Sequence, residues 1–219
     1  LTGRNVGPSR VHPAAAGATI AILAVLVLAA DQFTKNLVLA ELPYQQSVPV
    51  WGDLLQFYVT RNPGAAFSLG EGVTWIFTII LAAAAVAILV LAVTRVRSWL
   101  WATVLGLLLG GIVGNLTDRL FREPGFPVGH VVDFIHTPWM MPAIYNIADV
   151  FIVTMMISVA LLVLVGLKLD GTREPRHSSS PRDPSAAAPV ADGADGADDE
   201  STADTATDAD RPADASSRD

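Results

Sequence analysis

The chain has 219 residues, is 52% hydrophobic and carries a formal net charge of -7. Residues 172 to 219 hold 12 acidic and 5 basic residues, which leaves nine of each in residues 1 to 171, so the acidity belongs to the tail. No basic surplus suited to nucleic acid remains, and with no cysteine the chain has no disulfide, thiolate metal site, cysteine nucleophile or lipidated cysteine of its own.

The apolar content lies before residue 170 in long runs, the pattern of a polytopic membrane protein. Residues 1 to 13 are polar, and Ala14 to Ala30 form the first apolar run. A basic start before an apolar run also fits a cleaved signal peptide. No convincing small-residue cleavage pair precedes Asp31, however, and further apolar segments follow, so the run reads as a retained helix. The helical pattern continues through DQFTKNLVLAEL, where Asp31 and Lys35 stand four apart and can pair on one face.

Between about 43 and 72 the prolines and glycines break any helix. Inside that stretch Leu55, Phe57 and Val59 alternate with Gln56, Tyr58 and Thr60, which is strand periodicity, and the chain then turns through Asn62, Pro63 and Gly64. A small extracytoplasmic β-cradle is expected here, with an ordinary loop as the alternative. Ser68 has no histidine base near it in sequence and reads as loop packing.

Val73 to Thr94 is a second apolar run, and Trp99 to Leu116 a third with Gly106, Gly110 and Gly114 at four-residue steps, which lets another helix approach closely. An irregular second outer loop spans about 120 to 142, and a fourth run follows from about Ile144 to Leu167. The expected fold is therefore mainly α, with four transmembrane helices in a body of residues 14 to 170 and the cradle between helices 1 and 2. Residues 171 to 219 have too little apolar surface to offset ordering entropy and read as a disordered acidic cytoplasmic tail.

Arg4, Arg10, Arg95, Arg97, Lys168, Arg173 and Arg176 collect on one side, and Lys35, Arg61, Arg119 and Arg122 on the other. The first side is read as cytoplasmic, with both termini. The irregular loops and Asp31, Asp118, Asp133 and Asp149 then share the outer face. Trp51, Trp75 and Trp139 suit an outer interfacial belt, and Trp99 and Trp101 an inner one.

Pairing sorts those four aspartates. Asp31 has Lys35, and Asp118 adjoins Arg119 with Asn115 one turn back, so both read as compensated scaffolding. Asp133, in GHVVDFIH, and Asp149, three residues after Asn146, have no obvious cation. A carboxylate at a membrane border is costly unless paired or functional. Two brought together cannot both stay ionised, which suits one as acid and one as base for peptide hydrolysis. The plainer alternative is that each caps a helix or meets water. There is no HExxH or GxSxG motif, and a metal set of His130, Asp133 and Asp149 is disfavoured with so few histidines; no metal or cofactor is expected.

In order, DQFTK (31 to 35), RNPGAAFS (61 to 68), GGIVGNLTDR (110 to 119), GHVVDF (129 to 134) and YNIADVFI (145 to 152) closely resemble the lipoprotein signal peptidases, also called signal peptidase II. The resemblance implies an intramembrane aspartyl endopeptidase of the bacterial cytoplasmic membrane that cleaves prolipoproteins before a diacylglyceryl-modified cysteine. Carried over by motif, Asp133 and Asp149 correspond to its catalytic dyad. Asn62, Asn115, Asp118, Arg119 and Asn146 correspond to polar positions that place substrate or support the dyad, while Asp31 and Lys35 match a structural motif, and Gly64, Gly110 and Gly114 are read as structural. Tyr145 stands where many relatives carry phenylalanine.

The implied partners are diacylglyceryl prolipoproteins and membrane lipid, with no nucleic acid; the sequence leaves the oligomeric state open, a monomer being the working expectation. A small proton- or ion-coupled transporter is the competing class, because membrane carboxylates also mark ion paths. A non-enzymatic scaffold is the third.

Overall fold

The computed structural model describes residues 11 to 64 and 71 to 173. The N-terminal arginines, the AAFSLG stretch with Ser68, and all of the acidic tail beyond residue 173 lie outside the described residues. Four helices, α1 (Pro13–Glu41), α2 (Thr74–Thr94), α3 (Trp99–Phe121) and α4 (Ile147–Leu164), are long and apolar enough to cross a membrane. Between them lie β1 (Ser47–Trp51) and β2 (Leu55–Asn62), then β3 (Val131–His136) and β4 (Ile144–Tyr145).

Helix α3 is the hub: α1, α2 and α4 all pack on it, and it is largely buried while its neighbours turn apolar side chains outward. Ile22, Val25 and Leu26 of α1, Ile79, Val86 and Val90 of α2, and Val153, Ile157 and Leu161 of α4 are exposed, the surface a hydrocarbon environment accepts. On α1 the buried stripe is Ala16, Ile20, Ala24, Val27, Asp31, Lys35 and Val38, spaced by three and four so that it forms one face. The glycine series of α3 lies along that stripe. A Cβ on Gly106 would stand 3.0 Å from Ile20 Cα, one on Gly110 2.6 Å from Val27 Cβ, and one on Gly114 2.7 Å from Asp31 Oδ2. Small residues let the two backbones meet where lipid provides no hydrophobic drive.

Four strands form one antiparallel sheet in the order β1, β2, β3, β4. The expected strand through Leu55, Phe57 and Val59 is β2. The sheet extends beyond the segment between α1 and α2, because the second loop adds β3 and β4. It sits at the end of the bundle where α1 and α3 finish and α2 and α4 begin. At the opposite end, Val11 N donates to Arg97 O at 2.9 Å and Arg97 N to Leu169 O at 3.0 Å, tying three chain segments together.

Two helix boundaries and one tryptophan differ from what the sequence predicts. Helix α3 runs on to Phe121 because Asp118 and Arg119 find partners inside the protein. Helix α4 begins at Ile147, since Ile144 and Tyr145 pair with β3 and Asn146 caps the helix. Trp99 is exposed but Trp101 is buried in the bundle core, so only Trp99 suits an interfacial belt. Residues two apart on a helix point to nearly opposite sides, so both cannot face lipid.

Candidate active site

Sheet register begins the site. Thr60 pairs with Asp133 and Asn62 with Val131 across β2 and β3. Side chains two apart on a strand share a face, so Asn62 lies diagonal to Asp133. Its Nδ2 donates to Asp133 Oδ2 at 2.9 Å, while its Oδ1 accepts from Gly64 N at 2.9 Å.

The start of α4 supplies the second carboxylate. Asn146 is the N-cap: its Oδ1 accepts from Asp149 N at 3.0 Å, and Asp149 Oδ2 accepts from Asn146 N at 3.1 Å. This reciprocal box satisfies two donors that a helix terminus otherwise leaves open. Asn146 Nδ2 donates across to Asp133 Oδ1 at 2.6 Å, so a single asparagine touches both aspartates. From α3, Asn115 Nδ2 donates to Asp149 Oδ1 at 2.7 Å.

Neither carboxylate has a salt-bridge partner among the described residues. Burial first, and then the charge of Asp149, push the Asp133 carboxyl up to about 7, against the donors of Asn62 and Asn146 and the charge of Lys35. Both aspartates line a cavity of about 330 Å³ with Asn62, Gly64, Asn115 and Arg119. Its apolar walls come from Phe77, Ile80 and Leu81 of α2, Ile152 and Val153 of α4, and Met141, Ala143, Ile144 and Tyr145 before α4. Such a site can hold a peptide carbonyl between an acid and a base beside an apolar face.

Asp31, Lys35 and Asp118 form a buried cluster beneath. Lys35 Nζ lies 2.8 Å from Asp31 Oδ2 and 2.8 Å from Asp118 Oδ2, and all three side chains are fully buried. Asp31 Oδ1 accepts from Ala148 N at 3.0 Å, which ties α1 to the first turn of α4. The sequence predicts Arg119 as the compensating cation of Asp118, and the structure corrects this expectation. The cations of Asp118 are Lys35 and Arg122, the latter 2.6 Å away through Nε. Adjacent helical side chains do not face each other, whereas those four apart do.

Arg119 grips carbonyls instead: Asn62 O at 3.1 Å, Pro63 O at 3.0 Å, Gly129 O at 3.1 Å, and Gly64 O through Nη2. It thereby fastens the end of β2, which bears Asn62, to the loop before β3. Gly129 fits there because a Cβ would meet the carbonyl oxygen of Asp118 at 2.3 Å. Sequence reasoning missed Arg122, Gln32 and Gly129. The spacing of Asp118 and Arg122 was a usable signal, whereas Gln32 Nε2, which donates to Asp118 Oδ1 at 3.0 Å, reaches across from another helix. His130, Asp133 and Asp149 do not form a ligand cluster, and no group of three or more metal-ligating His, Asp or Glu side chains occurs among the described residues.

Known proteins share this architecture. The family model described as signal peptidase (SPase) II matches residues 23 to 166. The chain is 47% identical over 190 residues to a lipoprotein signal peptidase of Leifsonia xyli subsp. xyli, covering 86% of this chain and 85% of that one. It is 45% identical over 180 residues to that of Streptomyces griseus subsp. griseus, covering 78% and 90%. A bacterial membrane enzyme solved by the in meso method at 2.3 Å superposes with a TM-score of 0.60 at 28% identity, covering 67% of this chain and 88% of that one. Another, at 1.9 Å, gives 0.58 at 28% identity over 67% and 93%. The family match runs from within α1 through the end of α4, over the sheet and both aspartates, so the chain is a multi-pass bacterial membrane protein and a peptidase belonging to the signal peptidase II family.

Proposed function

We propose that the protein removes signal peptides from diacylglyceryl-modified prolipoproteins, cleaving before the lipidated cysteine with Asp133 and Asp149 as an aspartic dyad. The observation that carries this reading is that Asn146 donates to both carboxylates, and that both carboxylates line one cavity. The ionised aspartate takes a proton from water as the water oxygen attacks the scissile carbonyl carbon. The protonated one donates to the carbonyl oxygen. As the tetrahedral intermediate collapses, the aspartate that took the water proton passes it to the leaving amine while the C–N bond breaks. The other aspartate regains a proton from a gem-diol hydroxyl whose oxygen becomes the carbonyl of the new carboxyl group, so the pair again holds one proton.

Asn62, Asn115 and Asn146 supply donors that hold the dyad, Arg119 and Asp118 hold the cradle over it, and Asp31 and Lys35 with Gly110 and Gly114 hold the helices together. Apolar walls from α2 and α4 suit a signal-peptide helix and acyl chains that stay in lipid while the scissile bond reaches the polar floor. Both termini are assigned to the cytoplasm and the site to the outer face, following the distribution of short-loop arginines and lysines.

The test is incubation of the purified protein in lipid with a diacylglyceryl prolipoprotein, with the product read by mass spectrometry. A product beginning at the lipidated cysteine supports the reading. Asp149-dependent proton or ion flux in proteoliposomes, without cleavage, favours the transporter instead.

A further inference from the structure

Three asparagines hold the two aspartates, and an amide works there only if its NH2, not its oxygen, faces the carboxylate. Each orientation is set by what the amide oxygen accepts. For Asn62 that donor is Gly64 N, and for Asn146 it is Asp149 N, both backbone groups in the same chain segment. Asn115 has no such local donor: its Oδ1 accepts from Lys35 Nζ at 2.9 Å and from Asn146 Nδ2 at 3.2 Å.

We infer that Lys35 is a positioning residue for the reaction, fixing the Asn115 amide so that its NH2 is delivered to Asp149. A lysine ammonium can only donate. A flipped Asn115 would press its NH2 against that ammonium and the Asn146 NH2, and turn its oxygen on the Asp149 carboxylate. Lys35 has no freedom to yield, because its three donors are taken by Asp31 Oδ2, Asp118 Oδ2 and Asn115 Oδ1 at 2.8, 2.8 and 2.9 Å. Asp31 also accepts from Ala148 N, so the same α1 cluster fixes the backbone from which Asp149 projects. Directionality thus starts at a buried cation on α1 and ends at a carboxylate on α4. The inference rests on the aspartic-dyad reading, and extends it to a group that touches neither aspartate.

The experiment is a kinetic cycle on the full chain in lipid, with diacylglyceryl prolipoprotein as substrate: wild type, Lys35→Met, Asn115→Ala and the double variant. Acting through Asn115, Lys35→Met lowers kcat at least about tenfold with KM within about twofold, yet lowers it less than about twofold further in the Asn115→Ala background. An equal loss of kcat in both backgrounds, or no loss in the first, overturns the inference. Should Lys35→Met fail to fold, the cycle is repeated with Asp118→Asn in all four proteins, which removes one of the carboxylates left unpaired, and the same two outcomes decide. Asp133→Asn and Asp149→Asn are run alongside. Activity in those variants removes the dyad reading itself, whereas an inactive pair with additive Lys35 and Asn115 effects removes only the inference.

Discussion

Asp133 and Asp149 are joined through one residue: Asn146 donates from its side chain to Asp133 at 2.6 Å and from its backbone to Asp149 at 3.1 Å. Because the N-cap position fixes the backbone of Asn146, the first turn of α4 and the β3 strand are held in one geometry. Asn146→Ala removes the link to Asp133 and the cap together. The expected loss is about tenfold to a hundredfold in kcat, with about 1 kcal/mol of stability from the lost cap. Steady-state kinetics and thermal unfolding of the same preparation check both parts.

The Asp133 carboxyl, pushed up to about 7, predicts two pH effects. In the unfolded chain an aspartate ionises near about 4, so the folded protein binds more protons between about 4 and 7 and its stability falls across that window as pH rises. In Asp133→Asn this fall is smaller, which unfolding midpoints at pH 5 and pH 8 measure. Activity requires one proton on the pair, so kcat/KM declines as pH rises through about 7, a value that belongs to the coupled pair. Asn62 donates to the ionised form of Asp133, so Asn62→Ala moves that alkaline limb to higher pH at a reduced rate.

Gly114 and Gly17 make an internal comparison. A Cβ on Gly114 would stand 2.7 Å from Asp31 Oδ2, whereas one on Gly17 meets nothing within 4 Å. Gly114→Ala is expected to cost about 1–3 kcal/mol through overpacking against the buried cluster. Gly17→Ala is expected to leave stability unchanged or slightly higher, since alanine favours the helix. Unfolding in one detergent, with the two variants side by side, measures the difference.

Arg119 reaches four carbonyl oxygens from one guanidinium, on Asn62, Pro63, Gly64 and Gly129. An ammonium has three donors at a single point and cannot span that set. Arg119→Lys is therefore predicted to loosen the end of β2, lower kcat/KM by about tenfold to a hundredfold, and speed proteolysis near residues 62 to 64. Unchanged kinetics together with unchanged proteolysis would contradict the clasp.

The helices were legible because apolar runs long enough to span leave little choice of structure. Strand β2 was legible from alternation, but β3 was not: Val131, Val132, Asp133 and Phe134 are all buried, so no exposed face marks every second residue. Strand β4 has only two residues, and its pairing depends on a partner strand that itself carries no local signal. The absence of a nearby cation singled out Asp133 and Asp149 in the sequence, and the structure places both on one cavity. The full set of Asp118 partners is not legible locally, because one of its cations, Lys35, comes from another helix, and contacts between helices leave no trace in local spacing.

The most direct measurement is cleavage of a diacylglyceryl prolipoprotein by wild type, Asp133→Asn and Asp149→Asn, each first shown to be folded in lipid. Asparagine keeps the shape of each side chain and removes its acid-base capacity. The account predicts that either change lowers the cleavage rate by at least about a hundredfold, the low end for a lost general acid or base. Cleavage by either variant at a rate close to wild type would contradict it.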